Sequence, residues 1–579
     1  MKNIIKKGIL SSIALFSLAV ATSCDDALEE VIYSELTPDN AFITAADATA
    51  AINGVYEPLI SVTNRSIFYL NDMPTDACYR KEMPTELWNE AQMGGNQDVS
   101  SSWNGYYRII SRANIALDNI PTIALSEFDD DEATATAMRE ALLGEAYFMR
   151  ALAYYNTTDI FYTVPLVTDS KTATDAILPP ASITDIENQI ESDLQAARKV
   201  LPKSFTSKTD AGRATLGAAL GYLCRLHMRA AGRARIAGKD ASADWNLALG
   251  YANDVLALEK EGVYSLQKHV WDIFDPSDEN CKYNNELIFA VRSNPNGGGG
   301  TSDIGMNFSP WSYDCGWDLF SVPIQLVWKY NTTDERYTKL LVTEFPDVYN
   351  QPGKKTTLYR LPASIDEVGL VYFEDKGNPD DPNDNVVTNE LGASFTQKYK
   401  YEHPLTYNYK TGNNMSMMRL ADIILCKAEI LNEQNGPSQE AIDLVNRIRE
   451  RAFLNSDHNY KLSDYTTKEA MRNLICDERL LELNNEGVRR PDLIRMGVWK
   501  ERMEDYVAFI KKVSIKREDN AVAKQDKDDP AGAPHKRPDY SADWKVYPTD
   551  LTDTDIRRYY PAPKREMDLN TNLKNCRNF

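Results

Sequence analysis

Two stretches of the chain combine aromatic rings with polar side chains and lack a helical pattern. In one, Trp311, Tyr313 and Trp317 follow closely on the four glycines at 297–300. The other holds Asp76, Tyr79, Arg80, Trp88 and Asn96. Aromatic faces stack on the apolar C–H faces of sugars, and neighbouring polar groups can bind hydroxyls. We therefore expect these eight residues to bind a ligand such as a glycan; the alternative for the rings is burial in the core or at a protein interface.

No pattern of residues points to catalysis. The five histidines are scattered and none belongs to an HExxH motif; they are His227, His269, His403, His458 and His535. The chain has no GxSxG motif, and the glycine run at 297–300 lacks the Lys-Ser/Thr of a phosphate loop. A glycosidase needs a pair of carboxylates, and among 85 acidic residues none stands out. We expect no catalytic residues and no metal site.

One acidic segment, residues 374–385, offers clustered carboxylate and amide oxygens. Calcium prefers such ligands, but the spacing is not that of an EF-hand and prolines interrupt the segment. A solvated acidic loop is the favoured interpretation, with calcium as the alternative. No other cofactor is indicated.

Charge and cysteine content exclude further classes. The net charge of −21 argues against nucleic-acid binding, which needs a basic surface. The seven cysteines after Cys24 are widely spaced without a CxxC pair, and several lie within apolar helical patterns. We therefore expect neither a disulfide framework nor a cysteine metal site.

The N-terminus has the features of a secretory signal peptide at residues 1–23. Lysines precede an apolar run at 9–20, which is too short to span a bilayer, and small residues lead to Cys24. A cysteine at this place is typical of bacterial lipoproteins, which are cleaved before it and acylated on it. We expect Cys24 to carry the lipid and residues 24–36 to form an acidic tether.

Apolar periodicity predicts a mostly α-helical domain at 37–579. Helical stripes fill 37–258 and 415–503, and they place Trp103, Tyr107 and Trp245 in the core. Residues 259–414 read as long loops with short strands such as 287–291, which makes them the expected ligand region. Residues 504–579 are expected to be an extended tail.

Several segments together resemble the SusD/RagB family of Bacteroidetes outer-membrane lipoproteins. They span nearly the whole chain, at residues 47–59, 103–114, 144–151, 419–429, 446–452, 478–495 and 560–579. Examples are Trp103-Asn104-Gly105-Tyr106-Tyr107-Arg108, Gly144-Glu145-Ala146-Tyr147-Phe148-Met149-Arg150 and Glu478-Arg479-Leu480-Leu481-Glu482. Two departures are the absence of a glycine near Tyr162-Thr163 and the presence of Arg490 and Pro491 where the family usually has aromatics.

The resemblance implies a scaffold of tetratricopeptide-like helix pairs with ligand loops on one side, in the two aromatic stretches above. It implies a non-catalytic glycan-binding protein on the cell surface, which sits over a SusC-like TonB-dependent transporter in the outer membrane. The acidic residues after Cys24 resemble the surface-export signal of such lipoproteins. A peptide-binding subunit of the RagB type is the nearest alternative, and a surface glycosidase is a third.

Charged residues in the most family-like motifs have a structural interpretation. Glu478, Arg479, Asp492 and Arg495 lie at helical spacing among apolar neighbours. Ion pairs within the fold explain them better than catalysis does.

Overall fold

The structure, a computed structural model, describes residues 41–80, 93–172, 176–205, 207–208, 210–275, 278–293, 302–309, 316–346, 357–369, 371–374, 385–388, 393–399, 411–528 and 559–575. Its longer helices are α1 (Ala45–Tyr56), α2 (Gln97–Asn119), α3 (Glu132–Phe161), α4 (Ile183–Val200), α5 (Leu216–Ile236), α6 (Ser242–Lys260), α7 (Leu420–Asn435), α8 (Gln439–Phe453), α9 (Lys468–Leu483), α10 (Arg489–Met496) and α11 (Trp499–Asp528). Shorter helices include Ile67–Asn71, Ile304–Phe308, Ile324–Val327, Glu335–Leu340 and Lys564–Leu569.

The strands are short and lie between α6 and α7. They are β1 (Leu287–Val291), β2 (Val322–Pro323), β3 (Leu341–Val342), β4 (Glu344–Pro346), β5 (Thr357–Arg360), β6 (Val371–Glu374), β7 (Asn385–Thr388), β8 (Ala393–Thr396) and β9 (Met415–Arg419). They form three small sheets of order β1-β9, β2-β8-β3 and β4-β5-β7-β6. All pairs are antiparallel except β5 with β7.

Local sequence signals account for the helix starts. At α1, Thr44 accepts a hydrogen bond from the Asp47 amide while Asp47 accepts from the Thr44 amide, which is a capping box. Ser182 and Thr215 likewise cap α4 and α5. The predicted apolar stripes point inward, so Trp103 and Trp245 are buried as predicted. Tyr107 is partly buried and packs against the same core.

Consecutive helices pack as neighbours, which confirms the mostly α-helical prediction. Contacts join α2 to α3, α3 to α4, α5 to α6, and α7 to both α8 and α9. Helix α6 also packs on α7, although more than 150 residues separate them in sequence. The loop-rich region is thus an insertion whose two ends return to one helical scaffold. The predicted strand at 287–291 is β1, and it pairs with β9 at the start of α7.

The prediction of an extended tail from residue 504 is wrong at its beginning, because α11 continues to Asp528. The sequence from Trp499 to Asp528 contains neither glycine nor proline, so nothing in it ends the helix. Tyr506, Ile510 and Val513 form an apolar stripe that is buried along one side. The tail regains contact with the core at Tyr560, whose hydroxyl donates to the Leu70 carbonyl at 3.0 Å.

A buried cluster of charges, here called the central ion network, connects the insertion to the helices. Its members are Arg336, Lys398, Arg419, Arg449, Arg451, Glu286, Asp334, Glu478, Glu482 and Glu486. Five cations face five carboxylates, so the cluster is neutral as a whole. Arg419 is its centre, with ion pairs to Glu286 at 2.9 Å, Glu482 at 2.6 Å and Glu486 at 2.9 Å.

A second buried set of ion pairs lies between α5, α7, α9 and α10. Arg479 pairs with Asp422 and with Asp492, both at 2.7 Å, and Arg495 pairs with Glu429 at 2.8 Å. These contacts confirm the prediction that the charged motif residues are structural.

Two further properties concern the described part of the chain. Five of its cysteines are buried free thiols: Cys78, Cys224, Cys281, Cys426 and Cys476. Within those same residues, every helix is too short or too polar to cross a membrane.

Candidate ligand-binding surface

A backbone bridge joins the segment of Tyr79 to the segment that contains Trp317. Tyr79 and Ser321 form an isolated antiparallel bridge, in which the Tyr79 amide donates to the Ser321 carbonyl at 2.8 Å. The Ser321 amide donates back to the Tyr79 carbonyl at 3.0 Å. The segments that contain Tyr79 and Trp317 are therefore neighbours, although about 240 residues separate them in sequence.

The Trp317 segment is fastened to the short helix Ile304–Phe308. The Trp317 amide donates to the Met306 carbonyl at 2.7 Å, and the Phe320 amide donates to Asn307 at 3.0 Å. Gly316 lies against Ser309 so closely that a Cβ atom there would overlap the Ser309 carbonyl oxygen. Only glycine fits this approach.

Solvent exposure distinguishes the side chains that could contact a ligand from those that fix the positions of the two segments. Trp317 is 42% exposed, an unusual value for a tryptophan whose backbone is tied down on both sides. Tyr79 and Arg80 are half-buried at the bridge. Trp317, together with Tyr79 and Arg80 in the segment bridged to its own, defines what we call the Trp317 surface, where the exposed ring is available for stacking.

Asp76 forms a buried ion pair within the protein. Both of its oxygens accept from Arg489 at 2.7 Å, and the side chain is 7% exposed. Burial alone would raise the pKa of Asp76, but the Arg489 guanidinium outweighs it and holds the pKa below its ordinary value of 3.8. The geometry favours a role in fixing the segment that leads to Tyr79.

Asn96 is the N-cap of α2. Its side-chain oxygen accepts from the Asp98 amide at 2.8 Å and the Val99 amide at 3.1 Å. Its amide group donates to the Tyr69 hydroxyl at 3.3 Å. The side-chain oxygen and amide group of Asn96, which were expected to bind a ligand, thus form hydrogen bonds within the protein.

The remaining predicted residues, Trp88, Trp311, Tyr313 and the expected lipidation site Cys24, lie outside the described residues, as does most of the acidic segment 374–385. Their roles stay predictions. Among the residues that are described, no group of three or more His, Cys, Asp or Glu side chains could hold a metal ion.

Two further contacts fix the backbone that leads to Tyr79, and sequence reasoning did not connect their residues to the site. Tyr506 of α11 donates from its hydroxyl to the Cys78 carbonyl at 3.1 Å. Asp72 accepts from the Gly487 amide at 2.8 Å. Both contacts join partners more than 400 residues apart, so no local pattern could have revealed them.

Neither of two cavities lined by described residues includes Trp317. The cavity that Tyr79 shares with Ile324, Tyr506 and Arg517 measures only about 20 Å³, which is too small for a sugar ring. A larger cavity of about 740 Å³ lies between α4, α5 and α10, but none of its lining residues belongs to the two aromatic stretches. A ligand at Trp317 would therefore use neither cavity, and the exposed ring offers it stacking.

Comparison with known proteins agrees with this architecture. Residues 285–579 match the family model described as the SusD family, and residues 32–228 match a model described as "Starch-binding associating with outer membrane". A SusD-like protein of Formosa agariphila is 25% identical over 525 residues, which cover 85% of this chain and 90% of that protein.

Solved structures share the fold over nearly their full length. A SusD homolog from Bacteroides thetaiotaomicron has a TM-score of 0.68 at 21% identity, covering 95% of this chain and 99% of that one. The surface glycan-binding protein A from Bacteroides fluxus has a TM-score of 0.62 at 18% identity, covering 91% and 97%. The family match extends over more than half of the sequence, and the chain belongs to the SusD family, as its motifs indicated.

Proposed function

We propose that this protein binds a glycan outside the cell and passes it to a SusC-like TonB-dependent transporter. The observation that carries the proposal is the exposed Trp317, whose segment is tied to that of Tyr79 by the Tyr79–Ser321 bridge. An exposed ring on a rigid frame suits stacking on a sugar, since little ordering entropy is lost on binding.

The comparisons support the choice of ligand. One matching family model is described as starch-binding, and one protein of the same fold is described as a surface glycan-binding protein. Asp76 and Asn96 are engaged in the frame, so we assign ligand contact to Tyr79, Arg80 and Trp317. Trp88, Trp311 and Tyr313 complete the proposed set from the sequence.

We place the protein on the outer membrane, anchored by lipid on Cys24 and facing the exterior. The family description, which mentions association with the outer membrane, supports the location. The signal-like N-terminus supports the anchor, because several acyl chains on one residue hold far more firmly than a single chain. A binding subunit held in this way needs no catalytic residues.

An oligosaccharide panel tests the proposal against its nearest alternative. Purified protein, produced without residues 1–24, is measured against neutral and acidic oligosaccharides and against a peptide library under the same conditions. We expect saturable binding to oligosaccharides and none to peptides. Binding to peptides alone would replace the proposal with a RagB-type peptide subunit.

The same material tests for hydrolysis. The protein is incubated with the glycan that it binds best, and the chain length and reducing ends are followed over time. We expect no change. Release of reducing ends that disappears when one carboxylate is replaced would make the protein a glycosidase.

A further inference from the structure

A further cavity, which neither Trp317 nor Tyr79 lines, has an unusual charge. It measures about 240 Å³ and lies between β1 and the turn that precedes α5. Its basic lining residues are Lys203, Lys208, Arg213 and Arg292, and none of the described lining residues is acidic. In a chain of net charge −21, such a local excess of cations needs an explanation. We call this space the Arg292 cavity.

Two of the four cations are neutralised by carboxylates outside the cavity lining. Lys203 pairs with Glu261 at 2.5 Å, and Arg213 pairs with Glu145 at 3.0 Å. Arg292 differs from them, because no carboxylate among the described residues pairs with it. One of its terminal nitrogens donates to the Lys282 carbonyl, and its Nε is shielded from solvent without a hydrogen-bond partner. Burial lowers the pKa of Arg292 to about 10.

The fold holds Arg292 in this place. Its guanidinium carbon lies 5.2 Å from the centre of the Tyr283 ring, and the Lys208 ammonium lies 5.5 Å from the same ring. Gly212 has φ +101°, and a Cβ atom there would approach the Arg292 Cγ to 2.6 Å. The glycine therefore provides the space that the arginine stem occupies.

A partly buried guanidinium that no described carboxylate pairs with, and whose Nε lacks a hydrogen-bond partner, is costly in a folded protein. We propose that the Arg292 cavity is an anion-binding site, which takes a carboxylate or sulfate group on a ligand about the size of one monosaccharide. The planar guanidinium suits such oxyanions, and the Tyr283 ring offers an apolar wall. The volume is below the ~300 Å³ at which cavities for drug-sized ligands begin, so one sugar unit fits better than a chain.

That the ligand contains an oxyanion is inferred from the cavity alone. That this oxyanion belongs to a sugar rests on the proposed function. Calorimetric titrations at matched ionic strength therefore use inorganic sulfate, glucuronate, glucose 6-sulfate and neutral glucose. We expect saturable binding of inorganic sulfate or of a charged sugar and none of glucose. Preference for glucuronate identifies a carboxylate site, and preference for glucose 6-sulfate identifies a sulfate site.

Variants assign the binding to this cavity. Arg292→Gln should weaken anion binding at least about tenfold, because it removes charge-assisted hydrogen bonds. Lys208→Gln changes an exposed side chain and should cause a smaller loss, and thermal melting checks that the variant is folded. Arg139→Gln, at a half-buried arginine of α3, is the matched control and should bind as the wild type does.

Two results would overturn the proposal. One is the absence of saturable binding by all three anions. The other is anion binding that Arg292→Gln and Lys208→Gln leave unchanged. Neither result would affect the proposal for the Trp317 surface, because binding of neutral oligosaccharides is measured separately. Loss of binding to the whole oligosaccharide panel, with inorganic sulfate still bound at Arg292, would instead reject the proposed function alone.

Discussion

At the scale of single residues, Arg419 shows how buried charge organises this protein. Burial would raise the pKa of Glu482, but Arg451, Arg419 and Arg336 outweigh it and hold the pKa well below its ordinary value. The network is neutral, so each member stabilises the others. Removing one leaves the opposite charges buried and unpaired, which costs more than the intact network contributes.

Replacing Arg419 should therefore destabilise the fold strongly. We expect Arg419→Met to lower the free energy of unfolding by about 3–5 kcal/mol, measured by urea denaturation. The control is Arg108→Met, which breaks an exposed ion pair with Glu57 and should change the value by less than about 1 kcal/mol. Equal effects of the two variants would contradict this description of the network.

The buried carboxyl of Asp72 should make the free energy of unfolding depend on pH. Burial raises the pKa of its carboxyl from 3.8 to about 7, although the Gly487 and Arg489 amides donate to it. Between about pH 4 and 7 the folded chain therefore holds a proton that the unfolded chain has lost. The contribution of Asp72 to stability is largest at the acid end of this window, falls as the pH rises to 7, and is constant above.

Asp72→Asn should remove that slope, since the amide carries no titrating proton. Urea denaturation of both proteins at intervals from pH 5 to 8 measures the difference. The wild type should lose stability relative to the variant by up to about 1.4 kcal/mol per pH unit. Glu486 and Lys398 lie nearby and are present in both proteins, so they cancel in the comparison. Parallel curves would show that Asp72 is already ionised at pH 5.

At the scale of elements, the chain pays a conformational cost at the end of α8. Leu454 adopts φ 57° and ψ 17°, the left-handed conformation, and its side chain is 51% exposed. Where a helix ends in this conformation, the residue is usually glycine. A Cβ atom makes the left-handed conformation unfavourable by about 1 kcal/mol.

Leu454→Gly should therefore raise the free energy of unfolding by about 0.5–1 kcal/mol. Leu454→Ala is the control, since it removes the same exposed side chain but keeps the Cβ atom and should have little effect. Thermal melting of both variants decides the matter. Stabilisation by alanine as large as that by glycine would attribute the effect to the side chain and not to the backbone.

Elements were also the level at which sequence reasoning was most successful. Periodicity placed Trp103 and Trp245 in the core, and it found the strand at 287–291, because these signals are local. It failed at α11, where the tail was expected to be extended. It also assigned Asp76 to a ligand, since its partner Arg489 lies 413 residues further on. Nothing local to Asp76 indicates that partner.

At the scale of the whole molecule, a helical scaffold carries an insertion whose position is fixed at several distant points. The central ion network, the β1–β9 pair and the Tyr79–Ser321 bridge each join the insertion to the scaffold. The motifs predicted the family and the helix pairs. The sequence did not predict the Tyr79–Ser321 bridge, because long-range contacts depend on packing that one sequence does not display.

The proposed anchor makes a prediction for the protein in its cell. Cys24→Ala should move the protein from the membrane fraction to the soluble fraction, because no acylated cysteine remains. Ser23→Ala keeps a small residue before the cysteine and should leave the distribution unchanged. Fractionation in cells that lack the transporter avoids indirect retention. A Cys24→Ala protein that stays in the membrane fraction of those cells would exclude this anchor.

The central claim is that the exposed ring of Trp317 binds a glycan, and a calorimetric titration tests it most directly. The oligosaccharide bound best in the panel is titrated into the wild type, Trp317→Ala and Ile177→Ala, the last being an exposed apolar residue elsewhere. Loss of the ring should weaken binding about tenfold, equivalent to about 1–1.5 kcal/mol, with melting unchanged. Ile177→Ala should bind as the wild type does. Unchanged affinity of Trp317→Ala, in a protein that melts normally, would contradict the account.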